Sequence, residues 1–155
     1  MRIAIVVYSQ TGNTLSAARK LEKKLSSRGH SVKLEQIKVI GDPKRGAANV
    51  SFEGLPRLDN YDGIVLASWV EAFRLNQIMR KYLEELPRLD GKRGACMITK
   101  ALRWKWTGGN SAAKAMKTTM ESRGANVISS EIISWKSKTL EKDIDDACER
   151  LSRAF

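Results

Sequence analysis

Residues 3–7 are five consecutive apolar positions, and residues 14–28 follow with Ala18, Leu21 and Leu25 at helical spacing and Gly29 just beyond. This pair, a buried strand running into an amphipathic helix, sets a rhythm that repeats along the chain. Residues 31–37 alternate Val32, Leu34 and Gln36 against Ser31, Lys33 and Glu35, the pattern of a half-exposed strand. Residues 63–68 read as a continuous apolar strand. Residues 75–86 then place Leu75, Ile78, Met79, Tyr82, Leu83 and Leu86 on one stripe, and Pro87 ends that helix. Residues 93–99 are a further apolar strand. Residues 110–123 read as a helix capped by Asn110 or Ser111 and closed by Gly124. Residues 125–134 form a strand interrupted by Ser129, Ser130 and Glu131. Residues 139–154 form a last helix, with Leu140, Ile144, Ala147, Cys148 and Leu151 inward.

Strands alternating with helices predict an α/β domain in which a parallel sheet is covered on both faces. The first, third and fourth strands are nearly all apolar and belong inside such a sheet, whereas the second and fifth carry polar groups and belong at its edges. The order 2-1-3-4-5 meets that requirement. The prediction is therefore a single three-layer, doubly wound domain over residues 1–155, with a five-stranded parallel sheet. Its ligand crevice should lie beyond the carboxyl ends of strands one and three. Residues 38–60 do not fit the rhythm: the Gly41-Asp42-Pro43 turn signal, Gly46 and Pro56 break any helix there. This stretch is expected to be an irregular, mobile loop that arches over the crevice or meets a second subunit.

At the end of the first strand the chain reads Ser9-Gln10-Thr11-Gly12-Asn13-Thr14. A strand–loop–helix corner of this composition points backbone N–H groups, hydroxyls and the positive end of a helix at one place, which suits a phosphate. An ordinary capped turn needs one hydroxyl, and this loop supplies three around a glycine. It lacks the Gly-x-x-x-x-Gly-Lys-Ser/Thr of nucleoside-triphosphate sites and the Gly-x-Gly-x-x-Gly of dinucleotide turns. It also contains no Lys or Arg, so neutral donors would hold the phosphate, as suits a tightly bound monophosphate cofactor.

The pattern Ser/Thr-x-Thr-Gly-x-Thr after a first strand resembles the flavodoxin family, and Ser9, Thr11, Gly12 and Thr14 match it. The resemblance implies a flavodoxin-like fold and an FMN whose phosphate sits on residues 9–14. The loop after the third strand, Ala67-Ser68-Trp69-Val70-Glu71-Ala72-Phe73, is similar in outline to the family's Gly-Ser-Pro-Val-Trp-Ala-Phe. Trp69 stands where Pro is common and Glu71 where Trp is common, so ring stacking is expected to pass to Trp69, Trp104 or Trp106. A flat ring needs aromatic or apolar faces and backbone donors, which makes Ser68, Val70, Ala72 and Phe73 candidates. In the loop after the fourth strand, Gly108 and Gly109 would let backbone approach the ring closely.

Lys and Arg outnumber Asp and Glu by 28 to 17, for a net charge of +11. The basic residues are scattered, with no block of five, so the balance points to acidic partners more than to nucleic acid. Arg74, Lys100, Arg103 and Lys105 are expected to ring the crevice mouth, where the acidic residues usual in electron-carrier flavodoxins are missing. Such a rim favours a reduced, anionic flavin and an anionic donor, either NAD(P)H or an acidic protein. Cys96 and Cys148 have no ligand spacing and read as small buried hydrophobes in a reducing cytoplasm. No apolar run approaches the ~20 residues that span a bilayer, and the chain enters its first strand without a signal-peptide core.

No nucleophile–base pair, metal cluster or carboxylate pair stands out. The leading reading is an FMN-binding electron-transfer protein, carrier or small NAD(P)H-linked oxidoreductase, monomeric or homodimeric. The alternative is a flavin-free module using its basic surface to meet an acidic protein or nucleic acid.

Overall fold

The computed structural model describes residues 1–102 and 107–155. Strand β1 (Arg2–Val7) leads into α1 (Asn13–Ser27), and β2 (Ser31–Gln36) returns beside it. Two short strands follow, β3 (Val39–Ile40) and β4 (Ser51–Phe52), and then β5 (Gly63–Glu71), β6 (Arg74–Leu75) and α2 (Gln77–Glu84). The chain continues through β7 (Arg93–Lys100), α3 (Gly109–Ser122), β8 (Asn126–Ser134) and α4 (Leu140–Ser152). The five main strands run parallel in the order β2-β1-β5-β7-β8, which is the predicted 2-1-3-4-5.

Alternation within the central strands sends residues to two cores. Ile3, Ile5, Val7, Val65, Ala67 and Met97 face α1 and α4, while Ala4, Val6, Ile64, Leu66, Cys96 and Ile98 face α2 and α3. Burial pushes the Cys96 thiol up to about 12 and the Cys148 thiol up to about 11, so both behave as inert core groups. Between β7 and β8 the register passes from Gly94↔Val127 to Ala95↔Ser129, which leaves Ile128 as the extra residue of a bulge, half exposed at 48 %. Among the described residues no helix is long and apolar enough to cross a membrane.

Two sequence expectations need correction. Residues 38–60 do not form an irregular arch. β3 and β4 pair antiparallel around two short 3-10 turns, and the unit is bound to α2. The Lys81 ammonium donates to the Ala47 carbonyl at 3.0 Å and also to that of Val50, and the Ala47 N–H donates to Gln77 Oε1 at 2.9 Å. Val50 and Leu58 are buried beneath it, so local apolar residues tie the segment to the α2 side of the sheet.

The second correction concerns the segment after the third parallel strand. β5 runs on to Glu71 and doubles back through β6, pairing Val70 with Leu75 and Glu71 with Arg74. The turn is Ala72-Phe73, with φ of 48° and 65°. Two-residue hairpins favour such left-handed pairs because they match strand twist, but Asn-Gly is the usual choice. The hairpin is anchored at its base. Asn76, 1 % exposed, accepts the Ile78 N–H at 2.8 Å and the Met79 N–H at 3.2 Å, which caps α2. Glu71 accepts from Asn76 Nδ2 at 3.0 Å and the Gln77 N–H at 3.2 Å.

Candidate functional site

The carboxyl ends of β1, β5, β7 and β8 converge on a crevice where the strand order reverses. One lobe, of about 280 Å³, has Thr11, Asn13 and Thr14 on one wall and Trp69 and Val70 on another. Thr99, Lys100, Ala101 and Trp135 complete it. A second lobe of about 180 Å³ shares Val70, Lys100 and Ala101 with the first and extends to Ala72, Phe73, Leu102 and Thr107. The two lobes thus adjoin at these residues and pair a polar end with an apolar one, as a flat ring on a phosphate tail requires.

The polar end is built by the turn into α1. Gly12 is the residue before the helix, at φ 92°, and no side chain caps the helix start. The first intrahelical bond runs from the Ser16 N–H to the Gly12 carbonyl at 2.8 Å, which leaves the N–H groups of Asn13, Thr14 and Leu15 without intrahelical partners. The Ser9 hydroxyl accepts the Gly12 N–H at 3.2 Å and so shapes the turn. Thr11 is exposed. The sequence expectation that Thr14 offers its hydroxyl to a ligand is only half met: Thr14 is 2 % exposed, and its Oγ1 lies 2.7 Å from Thr99 Oγ1. That bond pins α1 to β7 at the crevice floor. Gln10 is exposed, and its Nε2 donates to the Tyr8 hydroxyl at 3.4 Å.

The aromatic wall differs in part from the expected one. The Trp69 ring lies on Tyr8 at 5.2 Å between centroids and 28° between planes, so it is a packed wall that also lines the crevice. Burial is the main cause that pushes the Tyr8 phenol above its ordinary pKa, with Glu71 adding to it, and the ring stays neutral. Trp135 is the aromatic that sequence reasoning missed. It directly follows β8, its N–H donates to the Lys100 carbonyl at 2.7 Å, and it lines the same lobe as Thr11 and Thr14. Its position at the carboxyl end of the fifth strand was the available signal. Trp104, Trp106, Arg103 and Lys105 lie outside the described residues.

Three further expectations change. Ser68 is fully buried in β5, with its Oγ unpartnered, and does not line the crevice. The glycines after the fourth strand serve the protein itself. A Cβ on Gly108 would fall 2.3 Å from the backbone C and O of Phe73, and one on Gly109 would fall 3.0 Å from Ile132 Cγ2. Gly108, at φ 100°, also takes the capping position before α3 in place of Asn110 or Ser111. Lys100, expected on the rim, is 7 % exposed, and its ammonium donates to Thr107 Oγ1 at 3.3 Å. Burial pulls its pKa below the ordinary lysine value.

Of the expected rim, Arg74 is exposed beside the turn of the hairpin. Lys136 and Lys138 are exposed just beyond Trp135. Arg19, Lys20 and Lys23 flank a groove that starts at Gly12 and runs along α1. Glu71, the nearby acid, is occupied with Asn76 and Gln77.

No protein-family model matches the chain, and no curated protein sequence matches it. Solved structures do. A flavodoxin of Streptococcus pneumonia superposes with a TM-score of 0.74 at 18 % identity, covering 99 % of this chain and 97 % of that one. A flavodoxin, WrbA-like protein of Agrobacterium tumefaciens gives 0.75 at 13 % identity, covering 99 % and 94 %. A flavoprotein of Lactobacillus acidophilus in complex with FMN gives 0.64 at 16 % identity, covering 94 % and 97 %. The fold of this chain is that of the flavodoxins.

Proposed function

We propose that this protein binds FMN in the crevice and transfers electrons, as a carrier or as a small NAD(P)H-linked reductase of the cytoplasm. The observation that carries this reading is the uncapped start of α1 opening onto a crevice walled by Trp69 and Trp135. The residues suit FMN. The N–H groups of Asn13, Thr14 and Leu15 form a neutral donor set for the phosphate, helped by the exposed Thr11 hydroxyl. Trp69, Trp135, Val70 and Phe73 offer the apolar surface that a ring needs and keep water from it. FMN, when bound, supplies the redox chemistry, and these side chains bind and orient it. The FMN-bound flavoprotein among its structural neighbours supports the reading.

The test is titration of flavin-free protein with FMN. Tryptophan emission should be quenched to a sharp one-to-one endpoint. Trp69→Phe and Trp135→Phe should each remove part of the quench. An emission indifferent to FMN, with no flavin retained on gel filtration, would refute the reading and favour a flavin-free binding module.

The net charge of +11 and the exposed Arg74, Lys136 and Lys138 at the crevice edge also support an anionic reductant or an acidic protein as redox partner. Salt screens such attraction over roughly 8–10 Å. Stopped-flow reduction of the bound flavin should therefore slow as salt rises, and reversing these three charges to Glu should flatten the dependence. A rate indifferent to salt would count against a charged partner.

A further inference from the structure

We propose that the buried ammonium of Lys100 makes the crevice hold the anionic, reduced flavin more tightly than the neutral, oxidised one. The inference rests on the FMN reading above and assigns one residue the control of its redox balance. Lys100 ends β7 and borders both lobes of the crevice. A ring that fills either lobe therefore lies against this residue, and in the second lobe also against Thr107. Lys100 as a residue has a relative exposure of 7 %, and its ammonium donates to the Thr107 hydroxyl.

Among the described residues, the other charged groups that border the same spaces have partners of their own. Behind the crevice, Lys100 also borders a polar cavity of about 520 Å³ that includes Asp143, Asp146 and Arg150. Asp143 accepts from the hydroxyls of Ser137 and Thr139, Asp146 accepts from Lys142 at 2.5 Å, and Arg150 pairs with Glu131 at 2.8 Å. On the crevice side its neighbours among the described residues, Thr11, Asn13, Thr14, Trp69 and Trp135, are neutral. The lowered proton affinity of Lys100 fits an ammonium that burial has deprived of solvation. When a low-potential donor delivers two electrons and one proton is taken up from solvent, the ring gains one negative charge. In surroundings of low dielectric that charge and the ammonium stabilise each other.

An amine on the same crevice could instead meet the phosphate, whose charge does not change on reduction. The two arrangements give different results. The affinity of oxidised FMN and of riboflavin is measured by tryptophan quenching. The midpoint potential of bound FMN is measured by dithionite titration against a reference dye. Lys100→Met and Lys100→Gln remove the charge in two shapes, Lys100→Arg keeps it, and circular dichroism checks the fold of each. Both neutral variants are expected to lose affinity for reduced FMN at least tenfold more than for oxidised FMN. This lowers the bound potential by about 30 mV for a two-electron couple. The Arg variant should keep the wild-type ratio. Equal loss in both redox states, with riboflavin binding untouched, would assign the amine to the phosphate and overturn the proposal, as would an unchanged potential. Failure of wild-type protein to bind FMN would show in the first titration and would refute the functional reading itself.

Discussion

Gly12→Val is expected to cost about 1–3 kcal/mol, divided between folding and FMN binding. Gly12 sits at φ 92°, a conformation in which a β-branched residue is a genuine outlier. A Cβ built there meets nothing within 4 Å, so crowding within the protein is not the cause. If the turn keeps its shape, the strain appears as lost stability in urea unfolding. If the turn relaxes, the N–H groups of Asn13, Thr14 and Leu15 no longer converge, and the same free energy appears as lost FMN affinity. Measuring both on one preparation separates the routes. Thr14→Ala should behave differently. It strands the buried Thr99 hydroxyl and should cost about 1–3 kcal/mol of stability, which Thr14→Ser restores. Thr11 is exposed, so Thr11→Ala should lower affinity and leave stability alone. A Gly12→Val protein with wild-type stability and wild-type FMN affinity would remove this turn from the site.

These outcomes separate what was legible in the sequence from what was not. The strand order was legible because polarity divides the strands into apolar interior ones and mixed edges, and the turn at residues 9–14 because its hydroxyls cluster around a glycine. Three features were not legible. The Ala72-Phe73 turn carries neither Gly nor Asn, so its left-handed backbone leaves no local mark. It is held from outside, by the capped start of α2 and by Gly108. Trp135 was marked only by its place at the carboxyl end of an edge strand. Only the sheet's convergence brings it opposite Thr11. The region 38–60 has apolar residues without a helical or strand period, broken by Gly41, Pro43, Gly46 and Pro56. Its order comes from Val50 and Leu58 packed into the core and from tertiary bonds made by Lys81 and Gln77, which lie on another element. Lys100 and Ser68 share a different lesson. Each is polar at the end of an apolar strand, which suggests exposure, yet Ser68 is 0 % exposed beside Ile98 of β7 and Lys100 is 7 % exposed beside Ser134 of β8.

Gly108→Ala should be among the most damaging single-methyl additions to this protein, at about 2–5 kcal/mol. Two effects add. An Ala at φ 100° carries backbone strain of about 1–2 kcal/mol. The added methyl also falls 2.3 Å from the carbonyl carbon and oxygen of Phe73 and 2.8 Å from its Cα, which costs a further ~1–3 kcal/mol as the hairpin is pushed away. Gly29→Ala is the internal control. It has φ 89° and nothing within 4 Å of its Cβ, so it should show the strain alone. Because the contact is with backbone, trimming Phe73 to Ala should not rescue Gly108→Ala. A rescue would mean that the Phe73 ring, and not the path of the hairpin, sets the fit. The hairpin carries Ala72 and Phe73 to the crevice wall, so the Gly108 variant should also bind FMN more weakly than its stability loss alone explains. Urea unfolding of Gly108→Ala, Gly29→Ala and the Gly108→Ala/Phe73→Ala pair, followed by FMN titration of each, tests both statements. Equal losses for the two glycines would show that the hairpin yields to the methyl without cost, and that Gly108 is required only for its backbone angle.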